Sequence, residues 1–154
     1  MDKRKKFELL AKVESELAKR ADSLGILTLS EAERTYLLGC WAKGALDCNG
    51  FAYFFAGPCD AEATALAFEE LGFYDAADAC RRAVAELPNG KPIQDSEQLT
   101  AWVKQQGEPL IERWNGFCKP IWDISSEQFD EALAKFIREH KDGFDLKLDI
   151  SPLL

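Results

Sequence analysis

The stretch DAEATALAFEELGFYDAADACRRAVAELPNG, residues 60–90, decides the fold. Asp60 has the short acceptor side chain that satisfies a free N–H at a helix start, and the apolar Ala63, Leu66, Ala67 and Leu71 then recur at three- and four-residue spacing. Gly72 stands where a helix closes in the left-handed conformation. After a tight link, Asp75 opens a second helix whose apolar face is Ala76, Ala79, Cys80, Ala83, Val84 and Leu87, and Pro88-Asn89-Gly90 stops it. Small alanines dominate both faces, which lets two helix axes approach closely. The stretch reads as a helical hairpin.

The same spacing extends in both directions. Upstream, Asp47 to Phe55 reads as a polar, Gly-containing turn running into a buried aromatic corner of Phe51, Tyr53, Phe54 and Phe55, with Gly57 and Pro58 breaking the chain behind it. Ser30 and Glu33 form a capping box for a helix carrying Tyr36, Leu37, Cys40, Trp41 and Gly44 on one face. Leu10, Val13, Leu17 and Leu24 mark a first helix ending near Gly25, basic at its start and able to stand partly apart as an appendage. Downstream, Asp95 or Ser96 caps a helix with Leu99, Trp102 and Val103, and Pro109 begins one with Leu110, Ile111, Trp114 and Phe117 that Asn115-Gly116 would end early. Ser125 or Ser126 caps the last long helix, with Phe129, Leu133, Phe136, Ile137 and His140 on one face and Gly143 at its end. Only three Val and four Thr occur, and no segment alternates as a strand would. The expectation is an all-α, single-domain bundle of about six to eight helices over residues 1–154, with 1–24 the basic N-terminal helix.

Composition bounds the function. The 154 residues are 47% hydrophobic and 30% charged, enough interior for one domain without metal or disulfide staples, and no apolar run approaches the length of a membrane span. The formal charge is −8, which disfavours direct attraction to nucleic acid or an anionic membrane and favours a cationic partner. The charge is uneven: residues 1–20 carry seven basic and four acidic side chains, net +3, leaving net −11 for the rest. Between Lys43 and Arg81 there are 37 residues without a single Lys or Arg, and they include Asp47, Asp60, Glu62, Glu69, Glu70, Asp75 and Asp78. No export signal follows the basic start, and five cysteines (Cys40, Cys48, Cys59, Cys80 and Cys118) neither complete a disulfide framework nor match a zinc spacing, so a reducing cytoplasm fits.

Little points to catalysis. Cys40 and Cys80 fall on apolar faces as small hydrophobes, and the one histidine, His140, lies near a helix C-terminus rather than beside a thiol in sequence. Asp75 and Asp78 fit the first turn of a helix, where negative charge complements the dipole. No Glu-x-x-His pair, phosphate loop or Gly-x-Ser-x-Gly elbow occurs. No catalytic residue is assigned, and no metal or cofactor is expected.

Asp47-Cys48-Asn49-Gly50-Phe51-Ala52-Tyr53-Phe54-Phe55 resembles the Asn-Asn-Gly-Gly-Phe stretch and trailing aromatics of the bacterial DNA-mimic-protein-like family. Gly50, Phe51 and the aromatics match, while Asp47, Cys48 and Asn49 depart from Asn-Asn-Gly. The resemblance continues through Glu62–Leu71 with Gly72, Ala76–Pro88 with Arg81 and Arg82, and Ser126–Phe129 to Phe136–His140, covering roughly residues 30–144. It implies an acidic protein that occupies the DNA-binding site of a partner such as a transcription regulator.

Charge density limits how such mimicry could work. A twelve-residue helix, about 18 Å long, would have to match about ten or eleven charges of a duplex carrying one per ~1.7 Å. Asp60 to Leu71 has four acids, and Asp75, Asp78 and Glu86 bring the hairpin to seven, offset by Arg81 and Arg82. Several helices or a homodimer would be needed, and Asp123, Glu127, Asp130, Glu131, Glu139, Asp142, Asp145 and Asp149 could contribute. The expected function is therefore non-enzymatic binding of a basic protein through Asp60, Glu62, Glu69, Glu70, Asp75 and Asp78, with Asn49, Gly50, Phe51, Tyr53 and Phe54 serving structure. The alternatives are an immunity-type inhibitor of a basic toxin, and a small-ligand or enzymatic domain with its pocket near Asp47–Cys59.

Overall fold

The computed structural model describes residues 1–57 and 60–154, and among these there are seven α-helices and no strand. The helices are α1 (Lys3–Leu24), α2 (Glu31–Ala56), α3 (Ala61–Glu70), α4 (Tyr74–Ala85), α5 (Ser96–Gln106), α6 (Glu108–Trp122) and α7 (Ser126–Glu139). The all-α expectation holds. Pro58 and Cys59 lie outside the described residues.

The hairpin of α3 and α4 forms as its punctuation requires. The Asp60 carboxylate accepts from the Ala63 N–H at 2.7 Å, and Gly72 adopts φ 89° while the Phe73 N–H returns to the Phe68 carbonyl at 2.8 Å. That closure places α4 one residue earlier than Asp75 suggested: Tyr74 is its first residue, Phe73 precedes it without a side-chain cap, and Asp78 falls beyond the first turn. The α3 face is also rotated. Ala61, Thr64, Ala65, Ala67 and Phe68 are buried, whereas Leu66 is half exposed, because the large Phe68 ring takes the core position.

Two clusters of buried side chains fill the molecule, and α2 runs through both. Its first half contributes Tyr36 and Leu37 to a cluster with Leu10, Val13 and Leu17 of α1 and Phe129, Leu133, Phe136 and Ile137 of α7. Its second half contributes Ala42, Leu46, Phe51, Phe54 and Phe55 to a cluster with α3, α4, Leu99 of α5 and Leu110, Trp114, Cys118 and Ile121 of α6. Phe73 and Ile124 pack against both clusters. Consequently α2 is enclosed on more than the single face its sequence suggests: Ala42 and Lys43 are buried, Gly44 is exposed, and Cys40 and Trp41 are half-buried.

The polar turn expected at Asp47–Phe55 is a break inside a longer helix. Asn49 (φ −144°, ψ 17°) and Gly50 (φ 68°, ψ −158°) leave helical geometry, and the helix resumes through Ala56. The Gly50 conformation is one that side-chain-bearing residues essentially do not adopt. A Cβ there would lie 3.5 Å from Asn115 Oδ1 and 3.5 Å from a Trp122 ring carbon, so α6 packs directly over the break. The Trp122 indole N–H donates to the Leu46 carbonyl at 2.8 Å, just before the bend. This docking accounts for Asn115-Gly116 failing to end α6, which continues through Pro120 to Trp122.

The first helix is not an appendage. Leu10, Val13 and Leu17 are almost fully buried, and the Tyr36 hydroxyl donates to the Leu10 carbonyl at 2.9 Å. Glu33, 2% exposed, does more than cap: beyond the predicted box with Ser30, its carboxylate accepts from Arg20 at 2.9 Å and from the Asp145 N–H at 3.1 Å. Glu16 in turn accepts from the N–H groups of Lys147 and Leu148, and Arg138 donates to the Leu153 carbonyl. The last helix stops at Glu139, before Gly143, and the segment beyond it is fastened across α1 and α7.

Replacing Gly50 by Ala should lower the unfolding free energy by about 1–3 kcal/mol, the cost of forcing a Cβ into that region. Gly116→Ala, in a helix interior with open space around the new Cβ, should instead raise it by about 0.5–1 kcal/mol. Urea denaturation of the two variants checks both signs.

Candidate partner-binding surface

The six carboxylates singled out on the hairpin are all at least partly exposed, but they are not equivalent. Glu62 and Glu69 stand two turns apart on one side of α3, and Arg81 reaches across from α4 to both, 3.2 Å from Glu62 and in direct contact with Glu69. These contacts raise the guanidinium's affinity for its proton still further. Asp78 pairs with Arg82 at 2.8 Å, one turn along α4. Asp60 is engaged as the α3 cap. Glu70 and Asp75, on either side of the Gly72 bend, make no ion pair among the described residues.

The base-free stretch thus ends on its own counter-ions. Arg81 and Arg82 follow it immediately in sequence, and the fold turns them back onto three of the six acids. The spacing of Asp78 and Arg82 was open to reading in advance as an i,i+4 pair. Arg81's reach onto α3 depends on how the two helices cross, which local spacing does not encode. A similar pairing holds elsewhere: Glu86 meets Arg113 at 3.1 Å, Glu127 meets Lys3 at 2.8 Å, and Glu131 is shared by Lys6 and Arg138. The Lys6 and Arg138 contacts hold the Glu131 carboxyl below its ordinary range.

The aromatic motif divides between core and surface. Phe51 and Phe54 are 1% exposed and Phe55 packs on Trp114 with ring centroids 5.3 Å apart. Tyr53, expected in the buried corner, is 54% exposed, and Asn49 is exposed as well. Both follow from the break: resuming the helix after Gly50 puts residues 51, 54 and 55 inward and Tyr53 outward.

Tyr53 and Phe54 instead border an open groove of about 690 Å³, whose α1 wall the sequence did not disclose. Glu14 and Asp22 line it from α1, Cys40, Trp41, Gly44, Ala45 and Cys48 from α2 before the break, and Tyr53, Phe54, Ala56 and Gly57 from beyond it. Burial raises the Glu14 carboxyl above its ordinary range, and its charge in turn opposes ionisation of Cys40 and Tyr36. The groove overlaps the region expected for a pocket near Asp47–Cys59 through Cys48, Tyr53, Phe54, Ala56 and Gly57, while Asp47 and Asn49 do not line it and Cys59 lies outside the described residues.

The described thiols differ in exposure. Cys48 is exposed, whereas Cys80 and Cys118 are buried and burial pushes both up to about 12. Cys40 is raised well above its ordinary value by the same cause. His140, beyond the end of α7, stacks on Phe136 with ring centroids 4.1 Å apart.

Comparison with known proteins then fixes the kinship. A family model described as DMP19-like protein matches residues 27–140, most of the chain. The chain belongs to this family. The match spans α2 to α7, including the break, the hairpin and the closing helix, and agrees with the resemblance carried by Gly50, Phe51 and the aromatics. Neither the curated proteins nor the solved structures contain a significant match.

The buried thiols give this DMP19-like chain a defined alkaline response. In the unfolded chain Cys80 and Cys118 ionise near 9, while in the folded protein they hold their protons to about 12, so stability should fall as pH rises from 9 toward 12. A Cys80→Ala, Cys118→Ala double variant should be less stable at pH 7 yet show a shallower decline over that window. Denaturant melts at pH 7, 9 and 10.5 test the difference in slope.

Proposed function

We propose that this protein is a cytoplasmic, non-enzymatic binder of a basic protein surface, the DNA-binding face of a partner such as a transcription regulator, and that it acts as a DNA mimic. One observation carries the reading: seven acids lie between Lys43 and Arg81 without an intervening base, within a chain that belongs to the DMP19-like family. Family membership supports the class of function, and the charge distribution supports the sign of the partner.

The ion pairs shape how binding would proceed. Glu70 and Asp75 offer unpaired charge and suit the first encounter, where exposed charges mainly set the association rate and its salt dependence. Glu62 and Glu69 already hold Arg81, so a partner's arginine engages them by exchange, with Arg81 released toward solvent. The hairpin alone is too sparse in charge for a duplex, and the unpaired acids of other helices would have to join it.

The small-ligand alternative has a specific observation behind it, the groove beside Tyr53. Its charged lining is acidic and its walls aromatic, which selects for a cation. A basic protein surface supplies that chemistry too.

The test is capture at low salt from the source cell, followed by competition with duplex DNA. The bound protein should be released both by about 0.5 M salt, which screens charges beyond a few ångströms, and by duplex. Glu70→Lys with Asp75→Lys should cut capture at least tenfold. Retention of a partner in the presence of excess duplex, or unchanged capture by the double variant, removes the proposal.

A further inference from the structure

The groove between α1 and the bent α2 has a composition that asks for one kind of occupant. Among the described residues its charged lining groups are Glu14 and Asp22, and neither makes an ion pair with any of them. The rest of the wall is apolar or aromatic: Trp41, Tyr53 and Phe54, with Ala45, Ala56 and glycines 44 and 57 between them. Glu14 is half-buried, so its charge is poorly hydrated, and this desolvation raises its carboxyl. Its volume, about 690 Å³, is in the range of pockets that enclose a small ligand.

A neutral apolar occupant would bury Glu14 further without pairing it, and an anion would be repelled. A hydrated ammonium satisfies the charge but not the aromatic walls. A guanidinium on an aliphatic stem satisfies both, since it is weakly hydrated, stacks on indole and phenol faces, and donates to a carboxylate through a planar fork. We propose that this groove binds an arginine side chain of the partner protein, its guanidinium on Glu14 and its stem against Trp41 and Tyr53. Asp22 lies eight residues further along α1, about 12 Å away, too far to share the same guanidinium, and so acts as a second negative point that steers the approach.

The proposal deepens the partner-binding reading and rests on it for the identity of the partner, but its test needs no partner. The probe is N-acetyl-arginine amide, with N-acetyl-citrulline amide as the neutral compound of the same shape. Two readouts report on the groove: the Trp41 indole N–H resonance, and the labelling rate of Cys48 in a Cys59→Ser background where the remaining thiols are buried or strongly raised. The arginine compound should shift the Trp41 resonance saturably and slow Cys48 labelling. The citrulline compound, and the arginine compound on a Glu14→Gln variant of unchanged urea midpoint, should each bind about tenfold more weakly. Equal binding of the two compounds, unaltered binding to Glu14→Gln, or a saturable shift confined to other tryptophans overturns the proposal. Should Glu70→Lys with Asp75→Lys leave partner capture untouched while the arginine compound still binds selectively, the hairpin reading falls and the groove stands.

Discussion

A glycine-only backbone conformation within α2 is the constraint on which the rest of the structure depends. An unbroken helix from Glu31 to Ala56 would be about 39 Å long and would carry its apolar residues around one continuous stripe. The turn at Asn49-Gly50 re-aims the second half, so that Phe51, Phe54 and Phe55 meet α3 to α6 while Tyr36 and Leu37 stay with α1 and α7. Trp122 and Asn115 of α6 lie against the bend, which fixes α6, and α6 with α2 fixes the hairpin. The same re-aiming turns Tyr53 to the surface and opens the groove beside Trp41.

Local chemistry made much of this legible. Ser30 with Glu33, Asp60 before Ala63, Gly72 after Leu71 and Ser125 before Gln128 are helix boundaries that depend on one side chain and one backbone group a few residues away, and each is present in the structure. What the sequence concealed involves partners far along the chain. Glu33 looks like a capping residue until Arg20 and Asp145 converge on it, and Arg81 looks like a free cation until α4 lies beside α3. Asn115-Gly116 carries a helix-ending signature by composition, and packing of α6 over Gly50 overrides it. The α1 wall of the groove was hidden for the same reason: Glu14 belongs to a segment with no periodicity in common with Trp41 or Tyr53.

The charge distribution takes on a different meaning once folded. A net −11 beyond residue 20 suggests a uniformly acidic body, yet many of those carboxylates are engaged, with arginines on the hairpin, with lysines of α1 along α7, or, for Glu33, with a backbone N–H of the closing segment. Exposed ion pairs of this sort contribute little to stability, commonly under about 1 kcal/mol each, so they can be exchanged for a partner's cations at small cost. On the proposed reading, the acids left without counter-ions are where an approaching basic surface would land first.

The segment from Phe144 to Leu154 crosses α1 and α7 and seals the cluster around Tyr36 with Leu153, while Leu146, Leu148 and Ile150 pack at its edge. Both that segment and the whole of α1 lie outside residues 27–140, the region matched by the family model. The packed core therefore extends past both ends of the matched region. Leu10, Val13 and Leu17 from one flank and Leu153 from the other belong to the same buried cluster as Leu37, Leu133 and Ile137, so the matched region alone does not close that cluster.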